Sequence, residues 1–207
     1  MARTRSENYE AIQRSILAKA AQVFAAQGYM RASIGDLTKA CGLSRGALYH
    51  YFESKDAILF AILDQHVRAF IAHVEAAVAA GCSPAAQLRL AVRAMVAFNA
   101  RSPAEQKVLL NDLPFLDKKG QQTIKGLERQ LIDTVANFLV ELDSGGRIGK
   151  RTRTVYTMIL FGIINYAHTW YDPKRGVAPP EFADIAVDVF LDGFRAPHRA
   201  TRPSVES

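Results

Sequence analysis

Apolar positions recur at three- and four-residue spacing from one end of the chain to the other. Ile12, Ile16, Ala20, Val23 and Phe24 form the first such stripe, and Gly28 reads as the stop of that helix. The rhythm then shortens. Ser33 can cap a helix over 34–41, Gly42 breaks it, Ser44 can cap a second over 45–52, and Ser54 a third. Three caps in quick succession, separated by short turns with a central glycine, predict a helix-turn-helix. The third of these helices is long and runs over 55–80. Ser83-Pro84 and Ser102-Pro103 each restart a helix with Ser as cap and Pro at the first position, and Glu105 is placed for a capping box with Ser102. Pro114 and Gly120 punctuate the middle of the chain. Ile124, Leu127, Leu131, Val135, Phe138 and Leu142 then stripe a long helix that Gly145-Gly146 ends. The segment 150–170 is apolar on most of its circumference, 173–180 is a linker, and a last helix spans 180–194. No alternating Val/Ile/Thr run bounded by hairpin turns occurs. The pattern predicts an all-α chain of about nine helices. A three-helix helix-turn-helix domain occupies 1–54, a larger helical domain 55–195, and the polar tail 196–207 reads as disordered.

The 207 residues are 49% hydrophobic and 22% charged, a globular composition on a chain long enough to bury a core without disulfides. Lys+Arg 26 against Asp+Glu 20 leave a net charge of +6, which favours a polyanionic partner, nucleic acid or a phosphorylated ligand. Two cysteines, Cys41 and Cys82, exclude a disulfide framework and a four-thiolate zinc site. Their scarcity, with no apolar leader after Met1, fits a reducing cytoplasm. No uninterrupted apolar run approaches the ~18 residues of a membrane span, so no membrane partner is expected. His66 and His73 share a helix without a zinc-binding H-E-x-x-H spacing, and 145–150 lacks the spacing of a phosphate-binding loop. No Ser stands in a nucleophile elbow. Nothing points to catalysis, a metal or a cofactor.

The informative stretch is 33–55. Leu37, Ala40, Leu43, Leu48 and Phe52 are the residues that would lock its short helices together. Arg45 and Tyr49 are four apart and share the opposite face. Such a face can enter a DNA major groove about 12 Å wide. Gly46 lets the backbone come close to DNA, Ala47 can touch a thymine methyl, and Arg45 is the candidate for a bidentate contact to guanine. Tyr49, His50 and Tyr51 suit flanks and phosphates. Lys55 sits at a helix start whose N–H groups favour a phosphate. Arg3 and Arg5 are candidates for a minor-groove arm.

The run Gly42-Leu43-Ser44-Arg45-Gly46-Ala47-Leu48-Tyr49-His50-Tyr51-Phe52, followed by Ser54-Lys55, resembles the TetR family of transcriptional regulators. The resemblance implies that Ser33, Ser44, Arg45, Gly46, Ala47, Tyr49, His50 and Lys55 contact a double-stranded DNA operator. Gly35 stands where many members offer a long polar side chain, which reduces base reading from that helix.

Long apolar helices beyond the reader can dimerise or enclose a ligand. The segments 150–170 and 180–194 are the most apolar and form the natural face of a homodimer, as the resemblance also implies for the last two long helices. The run from Gly162 to Pro173 resembles the ending of a TetR subgroup with members that sense CoA thioesters. Aromatic walls with isolated polar groups mark Phe98, Asn99, Leu109, Leu110, Asn111, Leu113, Phe115, Phe161, Asn165, His168 and Thr169 as candidate ligand residues. Lys118, Lys119, Lys125, Arg129, Arg147, Lys150, Arg151 and Arg153 either meet ligand phosphates or form a solvated face. The chain thus reads as a homodimeric, non-enzymatic, cytoplasmic repressor. A small hydrophobic effector, with an acyl-CoA thioester among the candidates, releases it from a pseudo-palindromic operator. Two alternatives stay open: a regulator of a multidrug efflux gene sensing uncharged or cationic lipophilic compounds, and a DNA binder with no effector.

Overall fold

The computed structural model describes residues 2–195 apart from Cys82, with the side chains of 8–193 apart from Cys82 and His168. The tail 196–207 and the side chains of Arg3 and Arg5 lie outside the described residues. Among those described there are nine α-helices and no strand: α1 (Ala2–Gln27), α2 (Ile34–Cys41), α3 (Arg45–Tyr51), α4 (Lys55–Val78), α5 (Pro84–Arg101), α6 (Pro103–Asp112), α7 (Lys118–Leu142), α8 (Arg153–Tyr166) and α9 (Pro179–Arg195). Short 3-10 turns follow α6 and α8.

Side-chain caps explain most of the boundaries. The Ser33 hydroxyl accepts the Asp36 N–H at 3.1 Å, and the Asp36 carboxylate accepts the Ser33 N–H at 2.9 Å, which closes a capping box on α2. The Ser33 hydroxyl also donates to the Asp36 carboxylate at 2.6 Å, and this bond, with that of the Ser33 N–H, holds the Asp36 carboxyl below its ordinary range. Gly42, at φ 70, ends α2 in the left-handed region that favours glycine. Ser44, Ser54 and Ser83 cap α3, α4 and α5 through the N–H groups of Ala47, Ala57 and Ala86. Ser102 departs from the pattern. Its N–H still closes α5 on the Phe98 carbonyl, its backbone is turned to ψ 52, and its hydroxyl makes no cap bond on α6. A residue shared between two helices cannot hold the extended geometry that a capping box requires. Asp117 supplies a cap that the sequence did not announce, accepting the Gly120 N–H at 2.7 Å.

The core divides into two clusters, and neither coincides with a boundary at residue 54. The first gathers Ile16, Ala20 and Phe24 of α1, Leu37 of α2 and Leu48 of α3. It also takes in Ile58, Leu59, Ile62, Leu63 and Val67 of α4, Val108 and Leu109 of α6, and Ile124 of α7. The second begins with Phe70 and Val74 of the same α4 and continues through α5, α7, α8 and α9. The helices α4 and α7 therefore run through both. By length and composition alone α4 could cross a membrane; its apolar residues are what the two clusters are built on. Ala40, which the sequence places among the locking residues, is exposed.

On the far side of the second cluster, α8 and α9 keep an uncovered apolar face. Val155, Met158, Ile159 and Tyr166 lie along one stripe of α8, and Ile185 and Val189 lie one turn apart on α9. Phe190 instead points into the core. Arg89 and Arg93 of α5 fix α9 by ion pairs to Asp184 and Asp188; Arg93 grips Asp184 with two nitrogens at 2.7 and 2.5 Å.

Candidate DNA-reading face and ligand cavity

Leu48 is fully buried and anchors α3, which leaves Arg45, Gly46, Tyr49 and His50 on the outer side. The Arg45 guanidinium lies 5.9 Å from the centre of the Tyr49 ring, so the two form one cationic, aromatic surface. Ala47 is half-buried beside them. A Cβ built at Gly46 meets nothing within 4 Å, so the fold itself places no demand for glycine there. Tyr9 of α1 joins this surface from outside the motif. Its ring centre lies 4.8 Å from that of Tyr51 and 6.0 Å from that of His50. Upstream of the first apolar stripe, Tyr9 carries no local signal of that role.

Lys55, at the start of α4, is half-buried. Its ammonium donates to the carbonyls of Tyr29 and Ala32, both at 3.0 Å, and lies 4.2 Å from the Tyr29 ring. Two of its three donors are thereby used inward. The Tyr29 hydroxyl donates to Asp56, and burial, reinforced by that bond, pushes its pKa well up. Phe115 stacks on Tyr29 at 5.7 Å. Together these contacts tie the α1–α2 turn to the start of α4 and the end of α6.

A cavity of about 400 Å³ opens between α5, α6, α8, the segment 171–174 and the start of α9. Val96, Ala100, Pro103, Ile164, Ala167, Tyr171 and Phe182 form its walls, and Asn99, Gln106, Lys107, Asp172 and Lys174 supply its polar groups. The Asn99 carbonyl oxygen is buried without a hydrogen-bond partner. Gln106 is buried and occupied at both ends: its oxygen meets His66 Nε2 at 3.1 Å, and its nitrogen donates to Asn165 at 3.5 Å. Burial drives the His66 pKa down, against the opposing pull of the Gln106 bond. The neutral ring donates from Nε2 to the Gln106 oxygen. A second cavity, of about 160 Å³, lies between α1, α4 and the α5–α6 junction, with Arg14, His66, Phe98 and Glu105 in its lining.

The candidate ligand residues fall in several places. Asn99 lines the larger cavity, and Asn165 reaches it through Gln106. Phe98 lines the smaller one, 5.2 Å from both the His66 and Phe70 rings. Phe161 is core. Leu109 is buried in the first cluster, and Leu113 packs against it. Leu110 is exposed, and the exposed Asn111 amide donates back to the Lys107 carbonyl. Phe115 belongs to Tyr29, and the Thr169 hydroxyl donates to the Tyr166 carbonyl at the surface. The His168 side chain lies outside the described residues. On α6 itself, Val108 and Leu109 are buried in the cluster shared with α1, and Gln106 and Lys107 line the cavity. Of the basic residues away from the reader, Arg153 is paired with Asp133 at 3.0 Å. The cations at the cavity are Lys107 and Lys174. Among the described residues, no group of three or more His, Cys, Asp or Glu is placed to hold a metal.

The depressed His66 pKa makes the unfolded chain the better proton binder, so stability falls as pH drops from about 6.5 towards the lower folded value. Urea unfolding between pH 7.5 and pH 5 is expected to show this loss. In His66→Gln the loss is expected to be smaller; an unchanged slope would place the titration elsewhere.

Residues 81–194, more than half of the chain, match the family Tetracyclin repressor-like, C-terminal domain, and residues 16–62 match Bacterial regulatory proteins, tetR family. The HTH-type transcriptional repressor Rv1474c of Mycobacterium tuberculosis is 40% identical over 62 residues, 30% of this chain; the match spans 33% of that relative's length. A TetR-family transcriptional regulator from Bordetella parapertussis 12822 superposes with a TM-score of 0.84 at 33% identity, over 88% of this chain and 95% of that one. The structure of AibR in complex with isovaleryl coenzyme A and operator DNA has the same fold, with a TM-score of 0.76 at 23% identity over 86% and 97% of the two chains. A motif-bearing α3 on an all-helical frame, with both domains matched, shows that the chain belongs to the TetR family of bacterial transcriptional regulators.

Proposed function

We propose that the chain is a homodimeric repressor that reads a pseudo-palindromic operator with α3 and leaves it when a hydrophobic acyl-CoA thioester enters the larger cavity. The observation that carries DNA reading is the exposed face of Arg45, Gly46 and Tyr49 on a helix that is capped and anchored behind. Ser33, Ser44, Ala47 and His50 border it and take the flanking contacts, with the remaining donor of Lys55 available to a phosphate. Half-sites of a two-fold operator lie about 34 Å apart or a multiple of it, so small changes in the distance between two copies of α3 decide affinity.

The uncovered stripe of α8 and α9 supports the dimer, because apolar residues at helical spacing on one surface form a contiguous patch. The cavity supports the effector. Its walls are apolar, and Lys107 and Lys174, exposed at its edge, suit the phosphates of CoA and disfavour a cation. The isovaleryl coenzyme A in the AibR structure is a ligand of this chemistry. Such a ligand releases DNA only by preferring the conformation in which the recognition helices are misplaced.

Fluorescence anisotropy on a duplex from the region upstream of the gene tests the interface. Arg45→Ala is expected to cost about 1–3 kcal/mol and to relax one base position. Gly46→Ala is expected to leave stability unchanged or to raise it by at most about 1 kcal/mol of helix propensity, read from thermal melting, while operator affinity falls. Wild-type affinity in both variants would overturn this docking. Acyl-CoAs are expected to lower the anisotropy of the wild-type complex; a panel without effect would remove the thioester as effector. In sedimentation, Val189→Asp is expected to be monomeric at micromolar concentration where the wild type is dimeric. A monomeric wild type would remove the dimer.

A further inference from the structure

The capping box that the sequence spells at Ser102 and Glu105 is not closed. The Ser102 N–H is used on the Phe98 carbonyl, so the Glu105 carboxylate has no backbone donor to accept from. Glu105 is half-buried, and among the described residues none meets its carboxylate in an ion pair or a hydrogen bond. It lines the smaller cavity, between α1, α4 and the α5–α6 junction. His66 lines the same cavity and is only 4% exposed. Its Nε2 is bound to Gln106, which leaves the lone pair of Nδ1 as an acceptor without a donor among the described residues. This nitrogen is not sealed in. The Asn99 oxygen is the one closed and unpartnered side-chain atom among the described residues, so Nδ1 opens on the cavity that its ring lines.

The smaller cavity thus holds one unanswered negative charge and one unanswered lone pair. Arg14, the cation in its lining, is exposed and lies 3.7 Å from Glu10 on its own helix, so its charge is already met. Leu17, Ile62 and Phe98 supply apolar wall. A free carboxylate beside a free acceptor asks for a cation that carries N–H donors, and the face of a phenylalanine ring adds to the attraction. A metal ion is a poorer match, because it asks for three or more protein ligands and no such group is placed to hold one among the described residues. We propose that this cavity is a second ligand site, separate from the effector cavity, which takes a small primary ammonium on an apolar body. Glu105 counters the charge, and His66 Nδ1 accepts one of the N–H groups. The ligand stands between α1, which packs on α2 of the reader, and α6, which walls the larger cavity. Its binding does not depend on which molecule the larger cavity takes.

Calorimetry and melting curves with 2-phenylethylammonium, in the presence of EDTA, test this. 2-Phenylethanol keeps the ring without the charge, 2-phenylethyltrimethylammonium keeps the charge without the N–H donors, and 3-phenylpropionate reverses the charge. In the wild type the primary ammonium is expected to raise the melting temperature and to bind about tenfold more tightly than each of the other three, equivalent to 1.4 kcal/mol. Glu105→Gln is expected to lower its affinity about tenfold, equivalent to the same energy. Ala69→Leu, at an exposed position in the lining, is expected to weaken binding by obstruction. Melting curves identify folded variants, and Glu105→Ala replaces Glu105→Gln if the latter does not fold. No binding of the primary ammonium, equal binding of the alcohol or of the quaternary ion, or an affinity unchanged by loss of the Glu105 carboxylate overturns the proposal.

Discussion

A helix of seven residues is too short to hold itself together in water, yet α3 has to present a fixed face to a partner. The structure meets that constraint from three directions. Ser44 and the extended Phe52 close its ends, and Leu48 is driven completely into the first cluster. The cluster it enters is then held by residues far along the chain, including Val108, Leu109 and Ile124. The reading face is rigid because the interior beneath it is shared with the rest of the molecule.

The same sharing gives the cavity and the outer face of α3 a common mechanical frame. One end of α6 offers Gln106 and Lys107 to the cavity. At its other end, burial raises the Asp112 pKa, and Phe115 stacks on the Tyr29 ring. In α4, His66 meets Gln106 beside the cavity, and Lys55 and Asp56 grip the α1–α2 turn. A rotation of either helix moves both ends. Close-packed clusters resist gradual deformation, so such a frame favours two discrete arrangements over a continuum.

The helices α8 and α9 divide their apolar residues between two tasks. Phe182, Ala183, Val187 and Phe190 close the second cluster, while Val155, Met158, Ile159, Ile185 and Val189 remain outside. The Arg89 and Arg93 ion pairs to Asp184 and Asp188 hold α9 on α5. Partly exposed pairs of this kind add little stability individually. As a network they set the angle of α9, and so the plane of the outer face.

Signals local to a few residues were legible in the sequence by itself. Serines before helical stripes, glycine at a left-handed stop, and period-3.6 apolar spacing placed the helices nearly where they lie, because capping and amphipathicity act within one or two turns. The recognition motif was legible for the same reason: Arg45, Gly46 and Tyr49 owe their exposure to one short helix and its anchor Leu48. The cavity was not legible. No local signal marks Gln106 and Lys107, while Leu109, Leu110, Asn111, Leu113 and Phe115 read as candidate ligand residues; which side of α6 faces inward is set by its packing against α1. Lys55 carries the motif's identity, but the fold of the α1–α2 turn directs its ammonium to two carbonyls. Local chemistry decided the elements and the face that one of them exposes. Helix rotation and packing, which depend on contacts between residues distant in the chain, decided which polar groups meet and which buried oxygen is left without a partner.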